Sequence, residues 1–287
     1  MFKLRAIALF RGLLAGLALV AASASASGTQ PSLRVMSFNV RLMPADDGEN
    51  RWEARRDLLV QTIRRADPDV FGTQELFKEQ GDYIVAGLPQ YAWFGRGRRG
   101  DDGDEHMGVF YRKDRLRVVE SGDYWLSGTP EVAGSITWGN LFPRMVTWAL
   151  FERKADGRRF YFFNTHFPYR EQDGEARTRA AALIGQRLTK LPAGIPVVVT
   201  GDFNDVPDSG AYRALAANLQ DAWTAAPRRS GPEATFHDFT GKADRRIDWI
   251  WSKGLQIRRV RTLTDQRNGR YPSDHFPVLA DYRWPPL

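Results

Sequence analysis

Six short polar clusters of this sequence each stand at one end of an apolar, strand-like run. Asn, Asp, Ser and Gly in such positions favour turns for local reasons, so a single cluster indicates no more than a turn. Together, however, the clusters contain asparagines, two histidines and several carboxylates, a set that can form a polar site on a rigid scaffold. The clusters occupy residues 37–41, 72–75, 164–167, 201–204, 246–249 and 273–276.

This mixture of side chains suits metal-assisted cleavage of a phosphoester bond. A hard divalent cation neutralises charge on the phosphoryl oxygens and stabilises the leaving oxygen. Because Mg²⁺ is held in proteins by one or two carboxylates together with water, Glu75 and Asp274 are candidate ligands. Asn39 and Asn204 offer neutral ligands or donors to a phosphate, and Asp202 or a histidine can accept the proton of an attacking water.

The amino-terminal segment has the features of a cleaved signal peptide. Basic residues precede or interrupt an apolar run at residues 12–22, and small residues at 22–26 offer an Ala-x-Ala cleavage site after Ala24 or Ala26. A membrane anchor is the alternative, but the run is short and rich in Ala and Gly. We therefore predict a signal peptide over residues 1–26, no stable membrane anchor, and a periplasmic or secreted protein.

Composition excludes some kinds of site and leaves others open. The chain of 287 residues has no cysteine, which excludes disulfides, thiolate metal sites and cysteine nucleophiles. The formal net charge is +7, and three of the basic residues lie in the predicted signal peptide. The remaining arginine pairs are compatible with scattered surface charge or with a surface that attracts polyanions, and net charge does not distinguish these alternatives.

Hydrophobic periodicity predicts more strands than helices. Strands are predicted at 33–40, 69–73, 107–111, 116–121, 145–151, 159–164, 195–200, 247–251 and 277–282, and helices after Asn50, at 78–87, at 176–188 and after 208–209. The continuous apolar run at 195–200 is typical of a central strand buried on both faces. Asn50 and Glu53 have the spacing of a capping box for the first helix. We predict that residues 27–287 form a single domain in which sheets pack face to face and helices lie outside.

As an ordered set, the polar residues resemble the motifs of the endonuclease/exonuclease/phosphatase superfamily, specifically a secreted bacterial branch. The series Asn, Glu, His, Asp-x-Asn, Asp and Asp-His extends over essentially the whole mature chain. The resemblance implies a deoxyribonuclease-I-like fold, which is a four-layer α/β sandwich of two mixed β-sheets packed face to face with helices outside. It also implies a Mg²⁺ or Mn²⁺ cofactor, with Asn39, Glu75 and Asp274 at the metal and Glu75 as the principal ligand.

The same resemblance assigns the catalytic residues. His166 and His275 match the two catalytic histidines, and Asp248 matches the acid that supports the second of them. Asp202 and Asn204 match the pair that orients the nucleophile and the phosphate. The family supports either the His275–Asp248 pair or Asp202 as the general base, and His166 either stabilises charge or protonates the leaving group.

Three further residues are assigned by the resemblance on their position alone. Glu105 precedes a strand where related enzymes place an acid that pairs with the first histidine; Asp104 is the competing candidate, and an ordinary surface acid is the other alternative. Arg41 and Arg144 lie where such enzymes carry phosphate-contacting arginines, although an ordinary salt bridge is the alternative for each.

Two more histidines have no position in this set. His106 follows Glu105 and is predicted to line the cleft. His237 lies in an aromatic segment and is predicted to be structural, with a substrate-facing role as the alternative.

The resemblance leaves the substrate open, because the superfamily includes nucleases, sphingomyelinase-like lipid phosphodiesterases, inositol-phosphate phosphatases and deadenylase-like enzymes. The basic loop at residues 96–104 favours a nucleic-acid groove, so we predict a nuclease-like phosphodiesterase that acts by in-line attack of water. A phosphomonoesterase, a sphingomyelinase-like enzyme, and an inactive binding module on the same fold are alternatives. The last is disfavoured because every core position holds the expected residue type. The expected partner is a phosphoester, with nucleic acid as one candidate, and the protein is expected to be a monomer.

Besides the basic loop at 96–104, the loop at residues 126–141 also bears on the substrate, and it contains and is flanked by aromatic residues. Trp125, Trp138 and Phe142 lie in or beside it. These side chains have three alternative uses, which are stacking on bases, insertion at a membrane interface, and filling of the core.

Overall fold

Two β-sheets with helices on their outer faces form the fold. The computed structural model describes residues 1–2 and 32–285, so the predicted signal peptide, apart from Met1 and Phe2, lies outside the described residues. Among the described residues no helix combines the length and the apolar character that a membrane crossing requires.

The strands and helices of the described part are as follows. The strands are β1 (Ser32–Asn39), β2 (Val70–Gln74), β3 (Tyr91–Phe94), β4 (Val109–Arg112), β5 (Leu116–Trp125), β6 (Met145–Arg153), β7 (Arg159–His166), β8 (Val197–Asp202), β9 (Gln220–Asp221), β10 (Arg229–Ser230), β11 (Asp248–Lys253), β12 (Gln256–Thr262) and β13 (Val278–Arg283). The α-helices are α1 (Trp52–Ala66), α2 (Lys78–Gly87), α3 (Gly174–Leu188), α4 (Gly210–Ala216) and α5 (Ala222–Ala225).

Both sheets are mixed. The first has the order β10-β12-β13-β1-β2-β4-β3 and the second the order β5-β6-β7-β8-β11-β9. Near the middle of each sheet lies one parallel pair, β1 with β2 and β7 with β8, while most other neighbours are antiparallel. Parallel neighbours bring their carboxyl ends to the same edge of a sheet, so the residues that follow these four strands lie close together.

Apolar side chains divide the fold into four layers. Val35 of the first sheet and Phe162 and Val198 of the second belong to one buried cluster between the sheets. Leu59 and Ile63 of α1 pack with the outer face of the first sheet, and α3 and α4 cover the outer face of the second. The predicted four-layer α/β sandwich is therefore confirmed.

The predicted capping box of the first helix is wrong. Asn50 ends a short 3-10 turn, Arg51 stands at the N-cap of α1, and no side chain caps the helix. The carbonyl of Asn50 accepts a hydrogen bond of 2.9 Å from Nε of Arg55, five residues further along the chain. The helix is followed by Asp67 at its C-cap, which has left-handed backbone angles.

Two antiparallel strands bring the remaining polar clusters to the same edge. Asp248 begins β11 and pairs in register with Asp202, the last residue of β8. The start of β13 pairs with the end of β1, because Val278 lies opposite Ser37. The residues just before β13, including Asp274, therefore lie beside the end of β1.

The Asn164 side chain joins the two sheets in the interior. Its Nδ2 donates to the carbonyl oxygens of Thr73 at 2.7 Å and Gly108 at 3.1 Å. Its Oδ1 accepts from Gln74 Nε2 at 2.7 Å and from Thr200 Oγ1 at 3.1 Å. All of these groups are buried and have no access to water, so each hydrogen bond satisfies a polar atom that would otherwise lack a partner.

Replacement of Gly72 by alanine tests this link between the sheets. A Cβ at Gly72 would lie 2.2 Å from Asn164 Oδ1 and 2.4 Å from Thr200 Oγ1. We expect Gly72→Ala to lower the free energy of unfolding by about 1–3 kcal/mol, measured by urea denaturation. Gly174→Ala is the control, because its Cβ would approach no neighbouring atom more closely than 3.7 Å. Equal stability of the two variants would contradict the proposed role of this contact.

Candidate active site

Asn39, the last residue of β1, lies at the centre of the converging polar groups. Its Nδ2 donates to Glu75 Oε1 at 3.0 Å and to Asp202 Oδ2 at 2.9 Å. Its Oδ1 accepts from the backbone N–H of Arg41 at 3.0 Å. Carboxylates only accept hydrogen bonds, which fixes the orientation of this amide between the two acids.

Backbone geometry at the strand ends is unusual for residues that are not glycine. Arg41, Glu75 and Asn204 have φ angles of 57°, 58° and 48°, in the left-handed region. Such conformations cost on the order of 1–3 kcal/mol each and concentrate at functional sites. At Glu75 the surrounding structure holds the residue in place, since its Oε2 accepts from the backbone N–H of Leu42 at 3.1 Å.

Asp202 lies between the two predicted catalytic histidines. Its Oδ2 is 3.6 Å from His166 Nε2 and 3.8 Å from His275 Nε2. Its Oδ1 accepts from the backbone N–H of Asn204 at 2.9 Å. Burial, together with the like charge of Asp248, raises the pKa of Asp202.

The two histidines have opposite electrostatic environments. Burial, with a contribution from the Arg144 guanidinium, lowers the pKa of His166 to about 3, so this imidazole is neutral at pH 7. Burial also disfavours charge on His275, but the carboxylates of Asp248 and Asp202 outweigh it and raise its pKa well above the ordinary value. Asp248 Oδ2 lies 2.8 Å from His275 Nδ1, which orients the ring as predicted.

The hydrogen bonds of Asn204 determine the tautomer of His166. The Nδ2 of Asn204 contacts the carbonyl oxygen of Phe167 at 3.1 Å and His166 Nε2 at 2.9 Å. Because a carbonyl only accepts, Nδ2 is the donor in both contacts, and His166 Nε2 must accept. The ring proton therefore lies on Nδ1, which faces Glu105 Oε2 at 3.6 Å.

Glu105, rather than the alternative Asp104, is the acid beside His166. Its carboxylate also lies 3.0 Å from Arg98 Nη1 and 3.8 Å from Arg144 Nη1. Asp104 instead forms ion pairs with Arg98 at 2.9 Å and Arg99 at 2.7 Å. Sequence reasoning missed Arg98 at this site, and its only signal was the basic character of the loop.

The two predicted phosphate-contacting arginines differ in their partners. Arg41 forms an ion pair with Asp47 at 2.7 Å, and its Nη1 lies 3.6 Å from Asp274 Oδ2 and 4.0 Å from Glu75 Oε2. Arg144 is buried, and its Nε and Nη1 have no hydrogen-bond partner among the described residues. Both line the cleft, so the geometry is compatible with contacts to a phosphate.

These groups line a cleft of about 450 Å³. Sequence reasoning missed several of its lining residues, and nothing in the local sequence marked Tyr169 as one of them. The cleft is lined by Arg41, Leu42, Glu75, Arg98, Glu105, Phe142, Arg144, His166, Tyr169, Asp202, Asn204, Phe236, Arg245, Ile247, Asp274 and His275.

The two remaining histidines lie outside this lining. The prediction that His106 lines the cleft is wrong, because the residue is fully buried and packs edge-on against Trp93. His237 stacks on Phe276 with ring centroids 3.9 Å apart, and burial lowers its pKa to about 4. Its position agrees with the structural interpretation.

The donor set suits a hard divalent cation. Ligand atoms of Glu75, His166 and Asp202 lie within 4.8 Å of one another, as do those of Asp202, Asp248 and His275. Asp274 joins neither group but shares the Arg41 guanidinium with Glu75. Burial and the charge of Glu75 raise the pKa of Asp274 to about 6, against the opposing effect of His275. Crowded carboxylates of this kind are the oxygen ligands that Mg²⁺ and Mn²⁺ prefer.

A two-sheet sandwich with paired acids and histidines at one edge defines a hydrolytic enzyme of the phosphoester class. The sequence profile of the Endonuclease/Exonuclease/phosphatase family matches residues 36–275, and the chain belongs to this family. The protein is therefore a metal-dependent phosphoric ester hydrolase.

Solved structures and curated proteins resemble most of the chain. A family member from Bacteroides thetaiotaomicron is 33% identical, with a TM-score of 0.85, over 89% of this chain and 99% of that one. A mannosyl-6-phosphatase of the same species is 34% identical, with a TM-score of 0.83, over 88% of this chain and 100% of that one. Human nocturnin is 25% identical over 88% of this chain, which spans 66% of nocturnin's length.

Metal binding at Glu75 is testable by thermal stability. A ligand at one hundred times its Kd stabilises the folded state by about 2.7 kcal/mol, so saturating Mn²⁺ should raise the Tm of the wild-type protein. We expect Glu75→Ala to abolish this rise, while Glu79→Ala, which removes an exposed acid of α2, retains it. An undiminished Mn²⁺ effect in Glu75→Ala would contradict the assignment of Glu75 as principal ligand.

Proposed function

We propose that the protein is a metal-dependent phosphatase of small, polar phosphate monoesters. The observation that carries this proposal is the cleft of about 450 Å³, which is lined by the catalytic groups and by the buried Arg144, whose Nε and Nη1 have no hydrogen-bond partner among the described residues. Similarity to a mannosyl-6-phosphatase over nearly the whole chain supports the same class of substrate.

The charges of loop 96–104 argue against a nucleic-acid groove. Arg98 and Arg99 are paired with Asp104, Arg98 also with Glu105, and Arg96 donates to the carbonyl oxygen of Gly100 at 2.7 Å. A track for a polynucleotide requires cations that are free to neutralise successive phosphates. The predicted nuclease-like preference therefore loses the observation on which it was based.

The leaving group has aromatic surfaces available on one side of the cleft. Phe142 and Tyr169 stack with ring centroids 6.5 Å apart, and the Arg98 guanidinium lies 4.4 Å from the centre of the Phe142 ring. A hydroxylated ring can pack against Phe142 while its hydroxyl groups bond to Arg98 and Glu105. This arrangement suits a sugar-like leaving group better than an apolar chain.

A second wall keeps a phosphodiester as the alternative substrate. Phe236 and Ile247 also line the cleft, and Arg245 lies over the Phe236 ring at 4.6 Å from its centre. A phosphate with substituents on both sides would occupy both walls, whereas a monoester needs only one.

The residues around the phosphate have separable tasks. A bound Mg²⁺ or Mn²⁺, held by Glu75 with Asp274 and Asn39, would neutralise charge on the phosphoryl oxygens. Asp202 is the better base of the two alternatives, because burial raises its pKa and so favours proton uptake, while the carboxylates of Asp248 and Asp202 raise the pKa of His275 and favour its protonated form. The His275 imidazolium, oriented by Asp248, then stabilises negative charge as it develops.

The predicted leader bears on where this activity is used. The segment at residues 1–26 would direct the enzyme out of the cytoplasm. There a phosphatase would hydrolyse small phosphate esters before the cell takes up their dephosphorylated products. The mass of the protein recovered from the periplasm or medium tests this proposal. A full-length chain confined to the cytoplasm would contradict it.

A hydrolysis panel with Mn²⁺ discriminates the candidate substrates. It should contain sugar phosphates, bis-p-nitrophenyl phosphate as a generic diester, single-stranded DNA, RNA and sphingomyelin. We expect kcat/KM for sugar phosphates to exceed that for each diester by at least tenfold. Preferential cleavage of any diester would overturn the monoester proposal and restore the phosphodiesterase prediction.

Removal of either catalytic group tests the chemistry independently of substrate class. We expect His166→Ala and Asp202→Ala to lower kcat by on the order of 10²–10⁴-fold on the best substrate of the panel. Circular dichroism should show that both variants remain folded. Asp82→Ala, which removes an exposed carboxylate of α2, serves as the control. Retained activity in both catalytic variants would contradict the mechanism.

A further inference from the structure

Arg55 on α1 is a fully buried arginine without an ionic partner. Among the described residues no carboxylate lies within 4.0 Å of its guanidinium nitrogens. Burying an arginine charge in this way is costly unless its N–H groups are well bonded. The partners that compensate Arg55 therefore indicate which part of the structure requires it.

The guanidinium lies over the rings of Trp52 and Phe239, and all of its hydrogen-bond partners are backbone carbonyl oxygens. Nη1 donates to Val40 at 2.6 Å and Pro272 at 2.9 Å, and Nη2 donates to Arg41 at 2.8 Å. Nε donates to Asn50, as described above. The planar guanidinium can direct its donors to several segments at once, which the single ammonium of lysine cannot do in the same geometry.

The bonded carbonyls flank the predicted metal ligands. Val40 and Arg41 directly follow Asn39, and Pro272 stands two residues before Asp274. The Leu42 N–H that binds Glu75 belongs to the same loop as Arg41. One guanidinium thus connects the loop after β1 to the segment that enters β13.

We propose that Arg55 is a positioning residue for the metal centre, which sets the distance between the Asn39–Glu75 side and the Asp274 side. The inference rests on the proposed metal-dependent function. Arg41 supports it, because its left-handed backbone presents the carbonyl oxygen that Arg55 and Gln80 Nε2 both bind, the latter at 2.9 Å. Without Arg55 the loop after β1 loses the hydrogen bonds that hold this conformation. The carboxylates of Glu75 and Asp274 are then no longer held at a fixed distance from each other.

Direct Mn²⁺ binding to the substrate-free protein tests the proposal. Free Mn²⁺ is measured by electron paramagnetic resonance during titration of wild type, Arg55→Met, Arg55→Lys and the control Arg56→Met. Arg56 is the neighbouring arginine of α1, and its guanidinium lies over the Tyr83 ring. We expect Arg55→Met to raise the Mn²⁺ Kd at least tenfold, Arg55→Lys to raise it less, and Arg56→Met to leave it within twofold of wild type.

A purely structural role gives a different result. In that case Arg55→Met would lower the Tm while its folded fraction bound Mn²⁺ with the wild-type Kd, and the proposal would be overturned. If neither Arg55 variant folds, the wild type decides the question. Mg²⁺ saturation should then shift the Arg55 Nε–H resonance and slow its hydrogen exchange, and an unchanged resonance would contradict the proposal.

The measurement separates this inference from the proposed function. Wild-type protein that binds Mn²⁺ but hydrolyses no phosphate monoester would contradict the monoester proposal and leave the Arg55 comparison intact. Hydrolysis of monoesters with a Mn²⁺ Kd that is unchanged in both Arg55 variants would contradict only the role of Arg55.

Discussion

The amide of Asn39 connects the two sheets at the point where the chemistry takes place. It donates to Glu75, which follows β2 in one sheet, and to Asp202, which ends β8 in the other. Both acceptors are carboxyl groups in a poorly hydrated environment, where bonds to a donor and repulsion between acids are each stronger than in water. A neutral donor holds the two acids together without cancelling their charge, so that charge remains available to a cation.

Burial and the neighbouring charges give the two histidines and Asp202 of the site different protonation behaviour. His166 lies beside the Arg144 guanidinium and loses its proton, whereas His275 lies between two carboxylates and keeps it. The same interior environment raises the pKa of Asp202 and so favours its role as proton acceptor. Two imidazoles on one carboxylate can thus act differently at one pH, because the surrounding charges differ rather than the side chains.

Much of the fold and the site was predictable because the sequence pattern indicates where strands end. Apolar runs followed by polar residues located β1, β2, β7 and β8, and parallel pairing brings their ends together. The hydrogen-bond and packing partners of individual side chains could not be predicted in this way. Asn50 ends a 3-10 turn, so Arg51 and not Asn50 stands at the N-cap of α1, and His106 packs on Trp93 instead of lining the cleft despite its position next to Glu105.

The sequence by itself indicated the class of chemistry, since the order and types of its acids, amides and histidines resemble the motifs of the endonuclease/exonuclease/phosphatase family. It also determined the layered architecture, through the alternation and length of its apolar runs. Only the tertiary structure decided which arginines are neutralised. Loop 96–104 reads as basic along the chain, but its charges are paired once Asp104 and Glu105 fold back on Arg98 and Arg99. The reason is physical: the availability of a charge depends on its distance from other charges, and only folding sets that distance.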